Sequence, residues 1–141
     1  MENWLNNNLD WDFIKAKLVA GNHYVALDIL RTDIAERIEN CLLTKVPWEI
    51  AFRQGNKDVT ASQQEVRGWT AEQNRVFQSA LIQQAREQYQ FFYNRYPMID
   101  AYIEGRDPGL YLHKFTEFLN GEDFLTFARH ITGDAEIRKA E

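Results

Sequence analysis

The chain has 141 residues, of which 45% are hydrophobic and 13% aromatic, and its formal net charge is -5. Disordered chains lack the bulky apolar side chains that offset the entropy lost on ordering, so this composition predicts a folded protein. The sequence has no run of basic residues, which argues against nucleic acid as a partner. It also has no apolar stretch near the roughly 20 residues of a membrane span, so we expect no membrane contact.

The single cysteine, Cys41, has no second cysteine with which to form an internal disulfide. It lies at helical spacing with Ile34, Ile38 and Leu42, a pattern that predicts a thiol packed in the core rather than a reactive one. No secretory leader pattern is visible at Met1. We therefore expect a cytoplasmic protein.

The first part of the chain predicts two helices with a strand between them. Apolar residues recur at helical spacing from about Trp4 to Gly21, where a Gly-Asn pair is a typical stop. The segment from His23 to Leu30 is rich in Tyr, Val, Leu and Ile and is interpreted as a strand. A second helix is predicted to begin at Thr32 and to end before Pro47.

A β-hairpin is predicted next. Apolar and mostly polar residues alternate from Pro47 to Gln54, which is typical of a strand with one buried face. The Gly-Asn-Lys-Asp sequence over residues 55–58 predicts a turn. A returning strand over Val59 to Val66 is a weaker prediction, because its composition is polar.

The clearest predicted element is a helix that begins after Thr70. The Thr70 hydroxyl and the Gln73 side chain have the spacing of a reciprocal capping box. We expect this helix to reach about Tyr93 and to end in a dense aromatic patch before Pro97. The patch comprises Tyr89, Phe91, Phe92, Tyr93 and Tyr96.

Two further helices are predicted near the end of the sequence. Asp107 and Pro108 are typical of an N-cap and a first turn, and the helix should continue through Phe118. The last helix is predicted over 122–132, with acidic residues at its start and Gly133 as its left-handed cap. The predicted fold class is α+β, and residues 1–141 form a single domain or part of one.

The sequence shows no complete active site. His23, His113 and His130 lack the spacing of a metal site, so His113 is interpreted as a helix-surface residue and His130 as a cation at a helix end. We predict no catalytic, cofactor-binding or metal-binding residue within the chain.

Two groups of residues allow a functional and a structural interpretation. Glu117, Glu122 and Asp123 could form an acid–base pair, but negative charge is also what the start of a helix favours. The aromatic patch from Tyr89 to Tyr96 could bind bases or a proline-rich peptide, or could pack against other elements. The structural interpretation is favoured in both cases.

The second half of the sequence resembles a known family. Residues 89–141 read YQFFYNRYPMIDAYIEGRDPGLYLHKFTEFLNGEDFLTFARHITGDAEIRKAE. This stretch is similar to the segment upstream of the catalytic core in prolyl-4-hydroxylase-like oxygenases, which use iron(II) and 2-oxoglutarate. The resemblance extends over about residues 20–141. It is most specific in the order Phe92, Tyr93, Tyr96, Pro97, Leu112-His113, Phe118-Leu119-Asn120 and Ile131-Thr132-Gly133.

The resemblance implies a double-stranded β-helix, or jelly roll, that begins near Ile137 and continues beyond Glu141. In the family this core carries a His-x-Asp pair and a distant histidine that bind iron, so no iron ligand can be assigned within this chain. The resemblance implies a dioxygenase, an oxidoreductase that hydroxylates proline in a protein or peptide. The present chain would be its helix-rich N-terminal buttress and would be inactive alone.

Aromatic helix faces without a covering sheet would be exposed, and self-association is expected from them. The alternative is a complete small α+β module that binds a peptide through the aromatic patch at Phe91–Tyr96.

Overall fold

A computed structural model describes residues 3–21, 23–87 and 89–140. The chain divides into two compact units: a helical unit drawn from Met1–Lys45 and Met98–Glu141, and a strand unit, Val46–Pro97. Helices combine with one antiparallel sheet, so the fold is α+β as predicted. The elements are α1 (Trp11–Gly21), α2 (Thr32–Thr44), β1 (Glu49–Gln54), β2 (Lys57–Ser62), α3 (Gln63–Arg67), α4 (Ala71–Glu87), β3 (Phe92–Arg95), α5 (Met98–Ile103), α6 (Tyr111–Leu119) and α7 (Glu122–Thr132).

The helical unit is built around one aromatic and aliphatic core. Helix α1 packs on α7, and α6 packs on α2, α5 and α7. Trp4 stacks between rings of α6, with centroids 5.4 Å from Tyr111 and 5.3 Å from Phe118. The fully buried Ile34 brings α2 into the same core. These contacts bury the apolar stripes that give α2, α6 and α7 their helical periodicity.

Helix α7 matches the prediction at both ends. It begins at Glu122, with acidic side chains at the positive end of the helix dipole, and Gly133 follows it in the left-handed conformation at φ 74°. The Gly133 amide donates to the carbonyl of Arg129 at 2.9 Å.

The strand unit contains the three-stranded sheet found in the described residues, in the order β2-β1-β3. Both pairings of β1 are antiparallel, and Phe52 at its centre lies opposite Val59 and Phe92. Helix α4 packs on β1, where the rings of Phe77 and Phe52 meet edge to face at 4.8 Å. The Gln84 side chain also binds the hairpin turn, because it accepts from the Gly55 amide at 3.1 Å and donates to its carbonyl at 3.0 Å.

The long predicted helix is shorter than expected. Helix α4 ends at Glu87, and Phe92–Arg95 forms strand β3 instead of helix. The aromatic side chains favour an extended backbone when a neighbouring strand is available, and β1 supplies it by pairing Ala51 with Tyr93. The exposed aromatic surface that was predicted on a helix therefore lies on a strand; position 88 of that helix is outside the described residues.

The predicted strand over His23 to Leu30 is wrong. Among the described residues, the segment from His23 to Leu30 has one isolated β-bridge, in which Leu30 pairs with Leu5 in antiparallel orientation. The first helix begins at Trp11 rather than Trp4, because the Asp10 carboxylate caps it by accepting from the Phe13 amide at 2.9 Å. Residue 22 of the predicted helix stop is not described.

The weaker second strand is confirmed only in its first half. Strand β2 ends at Ser62, whose hydroxyl accepts from the Glu65 amide and begins helix α3. In turn, the Glu65 carboxylate accepts a hydrogen bond from the Ser62 amide. The two bonds form a second capping box, which begins a helix where the strand was predicted to continue to Val66.

The predicted helix start at Asp107-Pro108 is also wrong. Asp107 takes a positive φ of 51° and Gly109 one of 93°, so helix α6 begins only at Tyr111. Helix α5, with Ala101 fully buried, was not predicted. Its six residues are too few for a clear helical period.

Candidate functional site

Part of the aromatic patch predicted from the sequence lies on strand β3, which contains Phe92 and Tyr93; Phe91 and Tyr96 flank the strand. Its rings alternate between the two faces of the sheet, as strand geometry requires. Phe91 and Tyr93 lie together with centroids 5.2 Å apart, whereas Phe92 lies 6.3 Å from Phe77 of α4. Phe92 remains 55% exposed and Tyr93 53%. Aromatic surface is thus exposed on both faces, and the rings do not line one common groove.

Strand β3 is an edge of the sheet. Within the described ranges it pairs with β1 on one side only, and its other edge has no strand beside it. Such an edge offers a row of backbone donors and acceptors to another strand. Together with its half-exposed rings, β3 is a surface that a further strand or layer can cover.

An apolar cavity of about 330 Å³ lies elsewhere in the strand unit. It is lined by Trp69 and by the first two turns of α4, including Val76 and Phe77. The Trp69 and Phe77 rings are 4.9 Å apart, and Val76 is 58% exposed. This helix therefore presents apolar side chains to solvent as well as to β1.

A second cavity, of about 480 Å³, lies within the helical unit and is open to solvent. We call it the cationic groove. One wall is the end of α2 and the other is the loop before α6; the lining residues are Arg37, Asn40, Cys41, Lys45, Asp107, Pro108, Gly109, Leu110 and Tyr111. The Cys41 side chain is buried, as predicted.

The guanidinium of Arg37 lies over the ring of Tyr111, 4.4 Å from its centroid. A cation stacked in this way keeps its N–H donors in the plane of the guanidinium, where they remain available to an acceptor. This groove was not predicted from the sequence. The spacing of Arg37, Cys41 and Lys45 along α2 was visible, but the loop that forms the facing wall was not.

The three histidines lie in different environments. His130 is paired with Asp12 of α1, with Nε2 and Oδ1 2.8 Å apart. His113 is half-buried, with Nε2 2.9 Å from the Arg106 carbonyl, so the prediction of a helix-surface residue is corrected. His23 is exposed in an irregular segment.

The carboxylates considered as an acid–base pair have separate structural partners. Glu117 accepts from the Tyr102 hydroxyl at 3.3 Å, and its negative charge raises the pKa of Tyr102. Glu122 pairs with Arg129, and Asp123 lies in the first turn of α7. The structural interpretation of the three acidic residues therefore accounts for their positions.

The part of the chain that the structure describes contains no cluster of side chains that could serve as iron ligands. No group of three or more His, Cys, Asp or Glu side chains there could hold a metal ion. Across the same residues, no helix has both the length and the apolar character needed to cross a membrane. No protein-family model, curated protein or solved structure matches the chain.

Proposed function

We propose that this chain is the N-terminal region of an iron(II)/2-oxoglutarate-dependent dioxygenase that hydroxylates proline in a protein or peptide. The observation that carries the proposal is the resemblance of residues 89–141 to the segment upstream of the catalytic core in prolyl-4-hydroxylase-like oxygenases. In this proposal the iron and 2-oxoglutarate sites belong to a jelly roll encoded beyond Glu141. Residues 1–141 alone are then inactive.

The roles of the resembling residues support the proposal. Leu112 and Phe118 are buried on α6, and Gly133 ends α7 in a conformation that glycine adopts at little cost. These residues form the packing and the chain reversal of two consecutive helices. A sequence pattern that places the same residue types in the same order is what a shared helical scaffold requires.

The exposed surface of β3 supports it as well. A buttress for a larger sheet needs an open strand edge and apolar side chains that another layer can bury. Strand β3 has an open edge within the described residues and half-exposed rings at Phe92 and Tyr93. The proposal assigns this surface to contact with the jelly roll.

The decisive experiment begins with the coding region beyond the codon for Glu141. We expect it to encode a β-rich segment with a His-x-Asp pair and a later histidine. The full protein, given iron(II), 2-oxoglutarate and proline-containing peptides, should form succinate and hydroxyproline. Replacing the histidine of the His-x-Asp pair with alanine should abolish both products.

A coding region without these ligands, or a full protein that has them but forms no succinate, would overturn the proposal. A useful matched variant in the same protein is Lys114→Gln, at an exposed position on α6. It should leave product formation unchanged.

The second candidate function is a peptide-binding module, favoured by the open edge of β3. An extended peptide would add to β3 through backbone hydrogen bonds, and Tyr93 would contact its side chains. Hydrogen exchange of those Phe92–Arg95 amides that point away from β1 distinguishes the two functions, because the alternate amides already bond to β1. In the dioxygenase these amides are protected in the full protein without ligand, whereas in the binding module protection appears only when peptide is added.

A further inference from the structure

We infer that the cationic groove of the helical unit binds a small oxyanion, a phosphate or carboxylate group of a soluble ligand. This site is separate from the surface of β3 and does not depend on the proposed dioxygenase activity. The inference rests on a cavity, on two cationic side chains that face it and on the contact that fixes one of them.

Arg37 lies on α2, and Lys45 is the residue directly after its end. Arg37, Cys41 and Lys45 are spaced by four residues, and all three line the groove. The rise of 1.5 Å per residue separates the first and last Cα atoms by about 12 Å, and both side chains are long enough to converge on a ligand between them. Asn40 adds an amide donor to the same wall.

Neither cation is neutralised by a carboxylate in the described residues. The Arg37 side chain has its stacking contact with Tyr111 but no ion pair, and the Lys45 side chain has no ion pair. Other arginines of the helical unit are paired, for example Arg129 with Glu122. In a protein with a net charge of -5, two unneutralised cations around one cavity form a local site for an anion.

The stacking of Arg37 on Tyr111 gives the site its orientation. A guanidinium held over a ring loses less freedom when its planar donors bind an oxyanion, which favours a bidentate contact. Asp107 lies on the facing wall and opposes negative charge. The ligand is therefore expected to place its oxyanion against α2 and to direct a hydroxyl or amine donor towards Asp107.

The test is an NMR titration of the full protein labelled with ¹⁵N, at constant ionic strength maintained with chloride. Inorganic phosphate and citrate are the two probes, each added up to about 50 mM to cover millimolar dissociation constants. We expect saturable shifts of the amides of Asn40, Cys41 and residues 109–111. A response to phosphate alone identifies a phosphate ligand, and a response to citrate alone identifies a carboxylate ligand.

Three variants locate the binding. Arg37→Gln and Lys45→Gln should each weaken it about tenfold, the loss typical of one charge-assisted contact. Asp107→Asn should strengthen it, because it removes the opposing charge. Arg86→Gln and Lys114→Gln are the matched controls, each an exposed cation outside the groove, and should leave the dissociation constant unchanged.

The absence of saturable shifts with both probes would overturn the inference. So would equal losses in the groove variants and the controls, because a general effect of net charge, and not a site, would then explain the response.

Discussion

The helical unit and the strand unit differ in how far their helices contribute buried residues to a core. In the helical unit, α1, α2, α6 and α7 each contribute residues to one core, and Ile34 is only 1% exposed. In the strand unit, the 17 residues of α4 include none that is buried, and Phe92 and Tyr93 are half-exposed. The helical unit therefore has a core to which four helices contribute, whereas the longest helix of the strand unit buries no residue. Both units also expose large apolar side chains, for example Leu27 in the helical unit and Tyr93 in the strand unit.

The two units differ in burial because they differ in how many helices and strands can pack against one another. Burial of apolar area is the main source of folding free energy, and two layers are needed to bury it. In the strand unit, α4 packs on β1 and the five-residue helix α3 contacts β2, so little helix surface is available to cover the sheet. We therefore expect the strand unit to open at a lower free energy than the helical unit.

The largest expected effect is the loss of a core ring in the helical unit. Phe127 is 2% exposed and meets Trp11 edge to face at 5.3 Å. Phe127→Ala should lower the free energy of unfolding by about 3–5 kcal/mol, because it removes a buried ring and leaves a cavity. Urea denaturation followed by tryptophan fluorescence measures the change.

The matched control is Leu43→Ala on α2, since Leu43 is 78% exposed. It should change the free energy of unfolding by less than about 0.5 kcal/mol. A loss below about 1 kcal/mol for Phe127→Ala would contradict the closed core of the helical unit.

A smaller effect is expected at the corresponding position of the strand unit. Phe77 is the ring of α4 that contacts Phe52, Trp69 and Phe92, but it is only half-buried. Phe77→Ala should therefore cost about 2 kcal/mol, roughly half the value for a fully buried ring. Hydrogen exchange should show faster opening of β1 and β3, with the amides of α6 and α7 unchanged.

Val76→Ala, at the neighbouring exposed position, is the control and should have little effect. If Phe77→Ala costs as much as Phe127→Ala, the two units do not differ as the burial of their side chains indicates.

The sequence predicted best the elements whose signals are local. Helix α7 has its period, its acidic start and its Gly133 cap within a dozen residues. The Thr70 capping box is confirmed, with the Thr70 amide 2.7 Å from Gln73 Oε1 and the Gln73 amide 3.1 Å from Thr70 Oγ1. Such features depend on backbone groups a few residues away, so no tertiary information is needed to find them.

The failures share a dependence on distant contacts. The conformation of Phe92–Arg95 is decided by β1, which pairs with it from about forty residues earlier in the chain. The positive φ of Asp107 is set by the loop around it and leaves no distinct mark in the sequence, because aspartate also favours helix starts. The cationic groove was missed for the same reason: its second wall is that loop.

The next smaller change in unfolding free energy is expected from breaking the capping box of α4. Because none of the residues of α4 that the structure describes is buried, local bonds should contribute a larger share of its stability than they do in α7. Thr70→Ala should cost about 1 kcal/mol, since the Gln73 amide loses its acceptor. Denaturation measures the loss, and exchange of the first amides of α4 locates it.

Thr70→Ser keeps the hydroxyl and should restore most of the stability. Equal losses for the alanine and serine variants would show that packing of the Thr70 methyl group, and not the cap, is responsible.

The smallest expected effect is a pH dependence at the second capping box of the strand unit. The Ser62 amide donates to Glu65 Oε2 at 2.6 Å, and this bond, with that to the Ser62 hydroxyl, lowers the pKa of the Glu65 carboxyl below its ordinary value of 4.5. The folded state therefore binds the proton less readily than the unfolded state. The stabilisation is fully present above pH 4.5 and is lost as the pH falls below that value towards the lowered pKa.

Glu65→Gln removes the titrating group, so the difference in unfolding free energy between the unmodified protein and this variant should be constant near neutral pH and should shrink in acid. Ser62→Ala provides a second variant: the backbone amide at position 62 still donates to Glu65, so the lowering of the Glu65 pKa should become smaller but should not vanish. A difference that stays constant from about pH 6 to about pH 3 would contradict the linkage. A smaller shrinkage in the Ser62→Ala background would show that the serine hydroxyl contributes to the start of α3, as the Thr70 hydroxyl does to the start of α4.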